Sequence, residues 1–304
     1  MFWLIVTILA YFFLAVAAFG DKFLLTGGGI SNPKVYTFYV GILSLFVIIF
    51  IPFGFFLPNF RQIVLSFFVG TIFILGLYLY YSAVKEFEVS RIVPAVGGII
   101  PILTFFFMYV FSWGEAVFSI KETISFSLLV FGSILIVIEK SKNIFGKPFL
   151  FSLAAAFYFS LYFVLAKLIY DSLTFINGFI WIRLGSFFVA LMFLFFKEVR
   201  EKIFIKNEIL KLKTTGLFIG NQIIGGSGTI LQNWAVSLAP VVYIAFINAL
   251  QGIQYVFLLI FTIFFSLKFP QILKEGFSKE IIFQKIIAIL LIGGGLILLT
   301  IKNV

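Results

Sequence analysis

Long apolar runs separated by short polar connections dominate the chain. The runs predict ten helices, at approximately residues 2–25, 35–57, 61–83, 89–112, 121–139, 148–170, 174–196, 214–237, 241–267 and 281–301. Each run is long enough to cross about 30 Å of hydrocarbon at about 1.5 Å per residue. Turn-forming pairs such as Asn32-Pro33 and Pro58-Asn59 fill the connections. The pattern predicts an all-α integral membrane protein with ten transmembrane helices.

Composition supports this class and excludes others. Hydrophobic residues make up 62% of the 304 and charged residues 11%, whereas soluble domains carry about 25% charge. The chain has no Cys and no His, so the usual zinc, haem and iron–sulfur ligands are missing and we expect no metal and no cofactor. The net charge of +10 is spread between the apolar runs, which is typical of topology signals and indicates no nucleic-acid partner.

Two stretches of the sequence resemble each other. Ala10–Lys22 matches Ala155–Lys167 at a constant offset, and the end of the third run, Ala83-Val84, matches Ala235-Val236. We therefore predict two five-helix repeats, residues 1–142 and 143–304, within one membrane body. Because five is odd, the second repeat must be inverted in the bilayer, as in many secondary transporters whose substrate site lies between the repeats.

Orientation is left open by the sequence. The connections after odd-numbered runs carry far more Lys and Arg than the other connections and the termini. The positive-inside rule then predicts that both termini lie outside the cell. We expect a multi-pass protein of the cytoplasmic membrane, and a monomer.

Amides are concentrated in the eighth and ninth runs. Gln222 and Asn233 share one helical face of the eighth run, and Asn248, Gln251 and Tyr255 follow in the ninth. Such faces could hydrogen-bond a polar, desolvated solute, because polar groups at membrane depth are costly and commonly functional. The alternative is that these side chains join helices to one another.

Five further residues are candidates for the substrate path. Arg183, well inside the seventh run, suits a carboxylate or phosphate, or instead extends toward the membrane interface. Tyr158 and Tyr162, one turn apart, could line the path or belong to an interfacial belt. Pro94 and Pro101 would permit the fourth run to bend, either as a hinge or as a static kink.

Acidic residues are missing from the centres of the runs. Asp21, at the end of the first run, is expected to pair with its neighbour Lys22. This pattern disfavours a proton-driven pump of cationic drugs, which needs a carboxylate buried in the middle of a helix.

With these residues in view, the chain resembles the EamA-type branch of the drug/metabolite transporter superfamily. The resemblance rests on Ala83-Val84, Pro101, Gly114-Glu115, Phe19-Gly20 and Arg183. It implies ten helices in two inverted repeats, transport of small metabolites, and both termini in the cytoplasm, opposite to the charge count. We expect Glu115 to cap the start of the fifth helix.

The sequence thus predicts a transporter and not an enzyme. We expect a secondary transporter or facilitator of a small polar metabolite, an amino acid or related compound, with membrane lipids as its surroundings. One alternative is a flippase for a lipid or lipid carrier on the same fold. Another is a membrane enzyme acting on lipid-linked substrates, with Glu86 and Glu88 as the candidate acids.

Overall fold

The computed structural model describes residues 1–26, 32–86, 89–135, 147–205, 212–268 and 279–301. Over these residues the fold is all-α, without a β-strand, which confirms that part of the prediction. The helices are α1 (Phe2–Thr26), α2 (Pro33–Leu43), α3 (Phe60–Glu86), α4 (Val89–Phe111), α5 (Ile120–Leu135), α6 (Lys147–Ser172), α7 (Phe175–Met192), α8 (Lys197–Arg200), α9 (Leu212–Leu238), α10 (Ile244–Ala249), α11 (Gln251–Lys268) and α12 (Lys279–Thr300).

The described helices identify a multi-pass membrane protein. Seven segments are long and apolar enough to cross a bilayer: Phe2–Asp21, Pro33–Phe53, Phe60–Lys85, Leu150–Ser172, Phe175–Phe195, Val241–Phe261 and Phe283–Thr300. Val96–Phe111 is a shorter apolar helix. The 27 residues of α9 are long enough for a span, but its amides lower its apolar character. The membrane class is confirmed, while the count of ten spans stays a prediction.

Local capping explains where several helices begin. Pro33 opens α2, and the side chain of Asn32 accepts hydrogen bonds from the backbone N–H groups of Lys34 and Val35. At the start of α5, Ser119 and Glu122 form a reciprocal capping box, with the Glu122 carboxylate 2.9 Å from the Ser119 backbone nitrogen. The expectation that Glu115 caps α5 is therefore wrong, since the first turn of this helix uses the carboxylate of Glu122.

Two predicted spans depart from regular α-helix. The second continues as a 3₁₀ helix from Ser44 to Phe53. The ninth is divided at Leu250, between α10 and α11. Side chains from other helices satisfy carbonyls beside this break: the Tyr11 hydroxyl donates to Ile247 O (2.8 Å) and the Ser133 hydroxyl to Ala249 O (3.2 Å). Such partners allow a helix to be interrupted at membrane depth.

Helix pairs pack across the two halves of the chain. The most extensive contacts join α1 with α9, α5 with α12, α3 with α6 and α7, and α4 with α6. Glycines bring α3 and α7 together: a Cβ on Gly185 would lie 2.6 Å from Cα of Phe67, and one on Gly70 would lie 2.5 Å from the Ser186 nitrogen. Only glycine permits this approach, as in other helix interfaces within membranes.

The α2–α9 pair is arranged differently from the α3–α7 pair. Over the described residues, α2 meets α9 near one end, where the rings of Tyr36 and Phe218 lie 5.4 Å apart and the Gln222 amide donates to the Tyr36 hydroxyl. Beyond that point a cavity separates the two helices.

Candidate functional site

A cavity of about 670 Å³ lies among helices of both halves. Its wall is mostly apolar and is built by α1, α2 and its 3₁₀ extension, α3, α4, α6, α7, α9 and α11. The wall includes Phe46, Ile49 and Ile223, whose side chains are about two-thirds exposed. The cavity therefore reaches the lateral surface of the bundle between α2 and α9.

A carboxylate stands at one end of the cavity. Oδ1 of Asp21 accepts a hydrogen bond from Asn221 Nδ2 (2.8 Å), a short one from the Tyr36 hydroxyl, and a long contact from Gln222 Nε2 (3.5 Å). Gly20 makes this possible, because a Cβ at that position would collide with the Asn221 side chain. We refer to Asp21, Tyr36, Asn221 and Gln222 as the Asp21 cluster.

A second polar group lies deeper along α9. The Oδ1 atom of Asn233 accepts hydrogen bonds from the hydroxyls of Tyr162 (2.7 Å) and Tyr170 (2.8 Å), and its Nδ2 donates to Thr229 O (2.9 Å). Asn233 is fully buried. These five atoms satisfy one another. The Asn233 cluster (Tyr162, Tyr170, Thr229 and Asn233) is therefore rigid, and all its members except Tyr170 line the cavity.

Arg183 supplies the positive charge. Its side chain is 7% exposed, and its guanidinium carbon lies 4.3 Å from the ring centre of Phe73 and 5.0 Å from that of Phe179. Atom Nη2 is buried without a hydrogen-bond partner among the described residues. The ion pairs between described side chains join Lys34 to Glu198, Lys167 to Asp171 and Lys197 to Glu201, and Arg183 is in none of them.

The two polar clusters lie at different depths. Asn221 and Asn233 are both on α9, where a rise of 1.5 Å per residue puts them about 18 Å apart along the helix axis. The Asp21 cluster therefore lies nearer the start of α9, and the Asn233 cluster lies nearer its end. The cavity offers a solute separate negative and positive regions joined by an apolar passage.

The structure brings most of the predicted substrate-binding residues to one wall. Gln222, Asn233, Gln251, Tyr162 and Arg183 all line the cavity. This places together residues that are far apart in sequence, and it is the arrangement that a solute site requires.

Three predicted residues lie outside that wall. Asn248 donates from Nδ2 to the Thr104 hydroxyl (2.8 Å), which joins α10 to α4, as in the alternative of amides that connect helices. Tyr158 packs beside Gly76, and the hydroxyl of Tyr255 fills the space over Gly97. None of the three lines the cavity in the part of the chain that the structure describes.

The hinge and enzyme hypotheses concern residues that are only partly described. Pro101 is buried within α4, which is continuous from Val89 to Phe111. The side chain of Pro94 lies outside the described residues, as do Glu88 and the side chain of Glu86. Hinge bending of α4 and chemistry at the two acids stay predictions.

Asp21 has hydrogen-bond partners that the sequence pattern did not indicate. It accepts hydrogen bonds from α2 and α9. The expected pairing with Lys22 stays a prediction, because the side chain of Lys22 lies outside the described residues. Asn221 is 200 positions away, so no local spacing connects the two. The available signal was the pair of adjacent amides, Asn221 and Gln222, which needed an acceptor at membrane depth.

Comparison with known proteins defines the fold and goes no further. No protein-family model matches the chain, and no curated protein matches it. Twenty-eight chains of solved structures match. One of them, described as a crystal structure of a protein, has a TM-score of 0.68 and covers 98% of this chain and 96% of its own, at 13% sequence identity. At that identity the likeness shows a shared fold alone.

Proposed function

We propose that the protein is a secondary transporter or facilitator of a small polar metabolite, an amino acid or a related compound, acting by alternating access. The observation that carries this proposal is the cavity itself. It lies between helices of both halves and holds hydrogen-bonding and charged side chains at membrane depth. Such groups are costly in a bilayer and commonly mark a substrate path.

The helix pairing supports two inverted repeats of five helices, of the EamA type. With α1–α5 as the first set, the second set is α6, α7, α9, the divided α10–α11, and α12. If each helix is replaced by its counterpart in the other set, the α1–α9 pair becomes the α6–α3 pair. The pairs α5–α12, α2–α7 and α4–α10 each join a helix to its own counterpart and are unchanged. Each of these pairs is in contact. The agreement supports a duplication in which the halves face each other.

The difference between the two lateral seams supports alternating access. With Ala83 aligned to Ala235 in the third spans, Gly70 of the closed α3–α7 seam corresponds to Gln222. With Phe38 aligned to Phe179 in the second spans, Gly185 corresponds to Ser44. The α3–α7 seam is closed by glycine contacts, while Ser44 and Gln222 face the cavity at the open α2–α9 seam. Exchanging the conformations of the halves would open the first seam and narrow the second, where the side chains of Ser44 and Gln222 keep the helices farther apart than the glycine contacts do. A solute would then meet the opposite side of the membrane.

A lipid or lipid-carrier flippase is the second candidate. The exposed wall residues Phe46, Ile49 and Ile223 favour it, because they extend the cavity to the lipid-facing surface. An acyl or polyprenyl chain could stay in the bilayer while a headgroup occupied the cavity.

Reconstitution tests both candidates together. Purified protein in liposomes is assayed for uptake of radiolabelled amino acids, other zwitterions and organic anions, and in parallel for transfer of fluorescent lipids between leaflets. Asn233→Leu removes a wall polar group, and Phe195→Ala changes an exposed residue outside the wall as the matched control. Uptake above empty liposomes that Asn233→Leu lowers supports metabolite transport. Lipid transfer without solute uptake supports the flippase. The absence of both uptake and lipid transfer contradicts both candidates.

A further inference from the structure

The charge on Arg183 has no counterion in the described structure. A buried guanidinium in a low-dielectric site is costly unless hydrogen-bond acceptors or an anion compensate it. The faces of Phe73 and Phe179 offset part of that cost. The aromatic faces accept no conventional hydrogen bond, however. The buried Nη2 donor of Arg183 therefore has no acceptor among the described residues.

The neighbouring polar groups do not supply that acceptor. The hydroxyls of Tyr162 and Tyr170 donate to Asn233, and no described oxygen, theirs included, forms a hydrogen bond with Nη2. Asp21, the acid in the cavity wall, belongs to a cluster at the other end of the passage. Arg183 therefore lines the cavity with one guanidinium nitrogen, Nη2, that has unused hydrogen-bonding capacity.

We propose that Arg183 binds the anionic group, a carboxylate or a phosphate, of a small polar substrate that also carries an apolar ring or hydrocarbon portion. This inference rests on the proposed transport function and specifies its substrate class. The planar guanidinium matches the two oxygens of a carboxylate or phosphate in bidentate geometry. The rings of Phe73 and Phe179 lie beside the guanidinium, and the cavity wall also contains Phe159, Phe163 and Leu77. Such a wall suits a ring or a hydrocarbon portion of the substrate.

Two sources could supply this anion: a free metabolite, or the headgroup of a lipid entering between α2 and α9. Both share the same chemistry at Arg183. The two sources can be distinguished by competition. If the site binds a lipid headgroup, an anionic lipid in the bilayer would compete with a soluble anion for the guanidinium of Arg183.

Equilibrium binding provides the test. The purified full-length protein in nanodiscs of phosphatidylcholine is titrated with phenyl phosphate and benzoate, and with benzyl alcohol as the neutral analogue. Variants are Arg183→Gln, Arg183→Lys and the matched control Arg200→Gln, which removes an exposed arginine of α8. We expect saturable binding of the anions and weaker binding of benzyl alcohol. Losing a charge-assisted hydrogen bond should weaken anion binding by about tenfold to a hundredfold in Arg183→Gln. Arg183→Lys should fall between, and Arg200→Gln should match the wild type.

Repeating the titration with phosphatidylglycerol in the nanodiscs separates the sources. A weakened apparent affinity for phenyl phosphate, absent in Arg183→Gln, identifies a lipid headgroup at the site; an unchanged affinity identifies a soluble anion. Equal binding of benzyl alcohol and benzoate, or unchanged binding in folded Arg183→Gln or Arg183→Lys, would overturn the inference. Uptake of neutral solutes without anion binding would refute the anion site and leave transport standing. Anion binding without transport of any solute would support the anion site and refute the proposed transport function.

Discussion

The amide nitrogen of Asn221 lies 2.8 Å from a carboxylate oxygen of Asp21, and this hydrogen bond joins α9 to α1 beside the cavity. The two helices share one of the most extensive interfaces in the fold. The hydroxyl of Tyr36, on α2, donates a hydrogen bond to the same carboxylate. One acidic residue therefore fixes the relative positions of three helices at one end of the passage.

Replacing Asp21 by Ala should destabilise the protein. The substitution removes the carboxylate oxygen that accepts hydrogen bonds from the Asn221 amide, the Tyr36 hydroxyl and the Gln222 amide. A buried group left without its partner costs about 1–3 kcal/mol. We expect a lower thermal unfolding midpoint in detergent. Glu201→Ala, at a partly exposed acid outside the cavity wall, is the control and should leave the midpoint nearly unchanged. An equal midpoint for Asp21→Ala and the wild type would show that the cluster does not hold these helices.

Adding a methyl group at Gly185 should disrupt the α3–α7 seam. Its Cβ would lie 2.6 Å from Cα of Phe67, a backbone atom that cannot move without displacing α3. Overpacking of this kind costs about 1–3 kcal/mol. Gly220→Ala is the matched control, because nothing lies within 4 Å of its Cβ position, and it should stabilise α9 by about 0.5–1 kcal/mol. Chemical unfolding of the two variants in detergent measures the contrast. Equal effects from both substitutions would argue against close packing at this seam.

The Asn233 cluster should behave as a coupled unit. Tyr170→Phe removes one hydroxyl, and Asn233→Leu removes the acceptor that Tyr162 and Tyr170 share. Contacting residues show interaction energies of about 0.5–3 kcal/mol in double-mutant cycles. We expect the double variant to lose less stability than the sum of the single losses. Pairing Asn233→Leu with Tyr109→Phe, an exposed tyrosine, should give additive losses. Additivity in the first cycle would mean that the hydroxyl of Tyr170 does not depend on Asn233.

Features set by local pattern could be predicted from the sequence, whereas features set by contacts between helices could not. Continuous apolar runs sufficed to locate α1, α3 and α6, because length and hydropathy decide a membrane helix. The break at Leu250 was missed, since it depends on hydroxyls of Tyr11 and Ser133 from two other helices.

The same distinction applies to the candidate site. The amides of α9 were predicted from their shared face, and they line the cavity. For Asp21 the sequence indicated only Lys22, the nearest charge along the chain, and that pairing stays a prediction. The role of Asp21 as an acceptor depends on Tyr36 and Asn221, which the fold brings to it from two other helices.

An ion pair between the first turn of the span Pro33–Phe53 and α8 predicts a local pH response at its acid, Glu198. Lys34 lies 3.1 Å from Glu198, and Asn32 also donates to this carboxylate. Hydrogen bonds from Lys34 and then Asn32 lower the pKa of Glu198 below its ordinary value of 4.5. A lowered pKa means that the contact contributes above pH 4.5 and is lost as the pH falls through the pKa of the folded protein. Carboxyl NMR titration of Glu198 should show this low value, and Lys34→Gln should raise it. A pKa unaffected by Lys34→Gln would contradict the pairing.

The proposed exchange between the lateral seams can be tested by cross-linking. In the repeat alignment, Phe67 and Gly185, which touch in the closed seam, correspond to Ile219 and Ser44. Alternating access therefore brings Ile219 and Ser44 close together when the α2–α9 seam closes. The chain contains no cysteine, so Ser44→Cys with Ile219→Cys introduces a single possible disulfide. Because a disulfide needs Cβ atoms about 3.5–4.5 Å apart, oxidation should trap the closed seam and stop uptake in liposomes, and reduction should restore it. Each single cysteine variant should transport normally under both conditions. Full uptake by the oxidised, cross-linked protein would mean that transport does not need this seam to open, and would refute the proposed cycle.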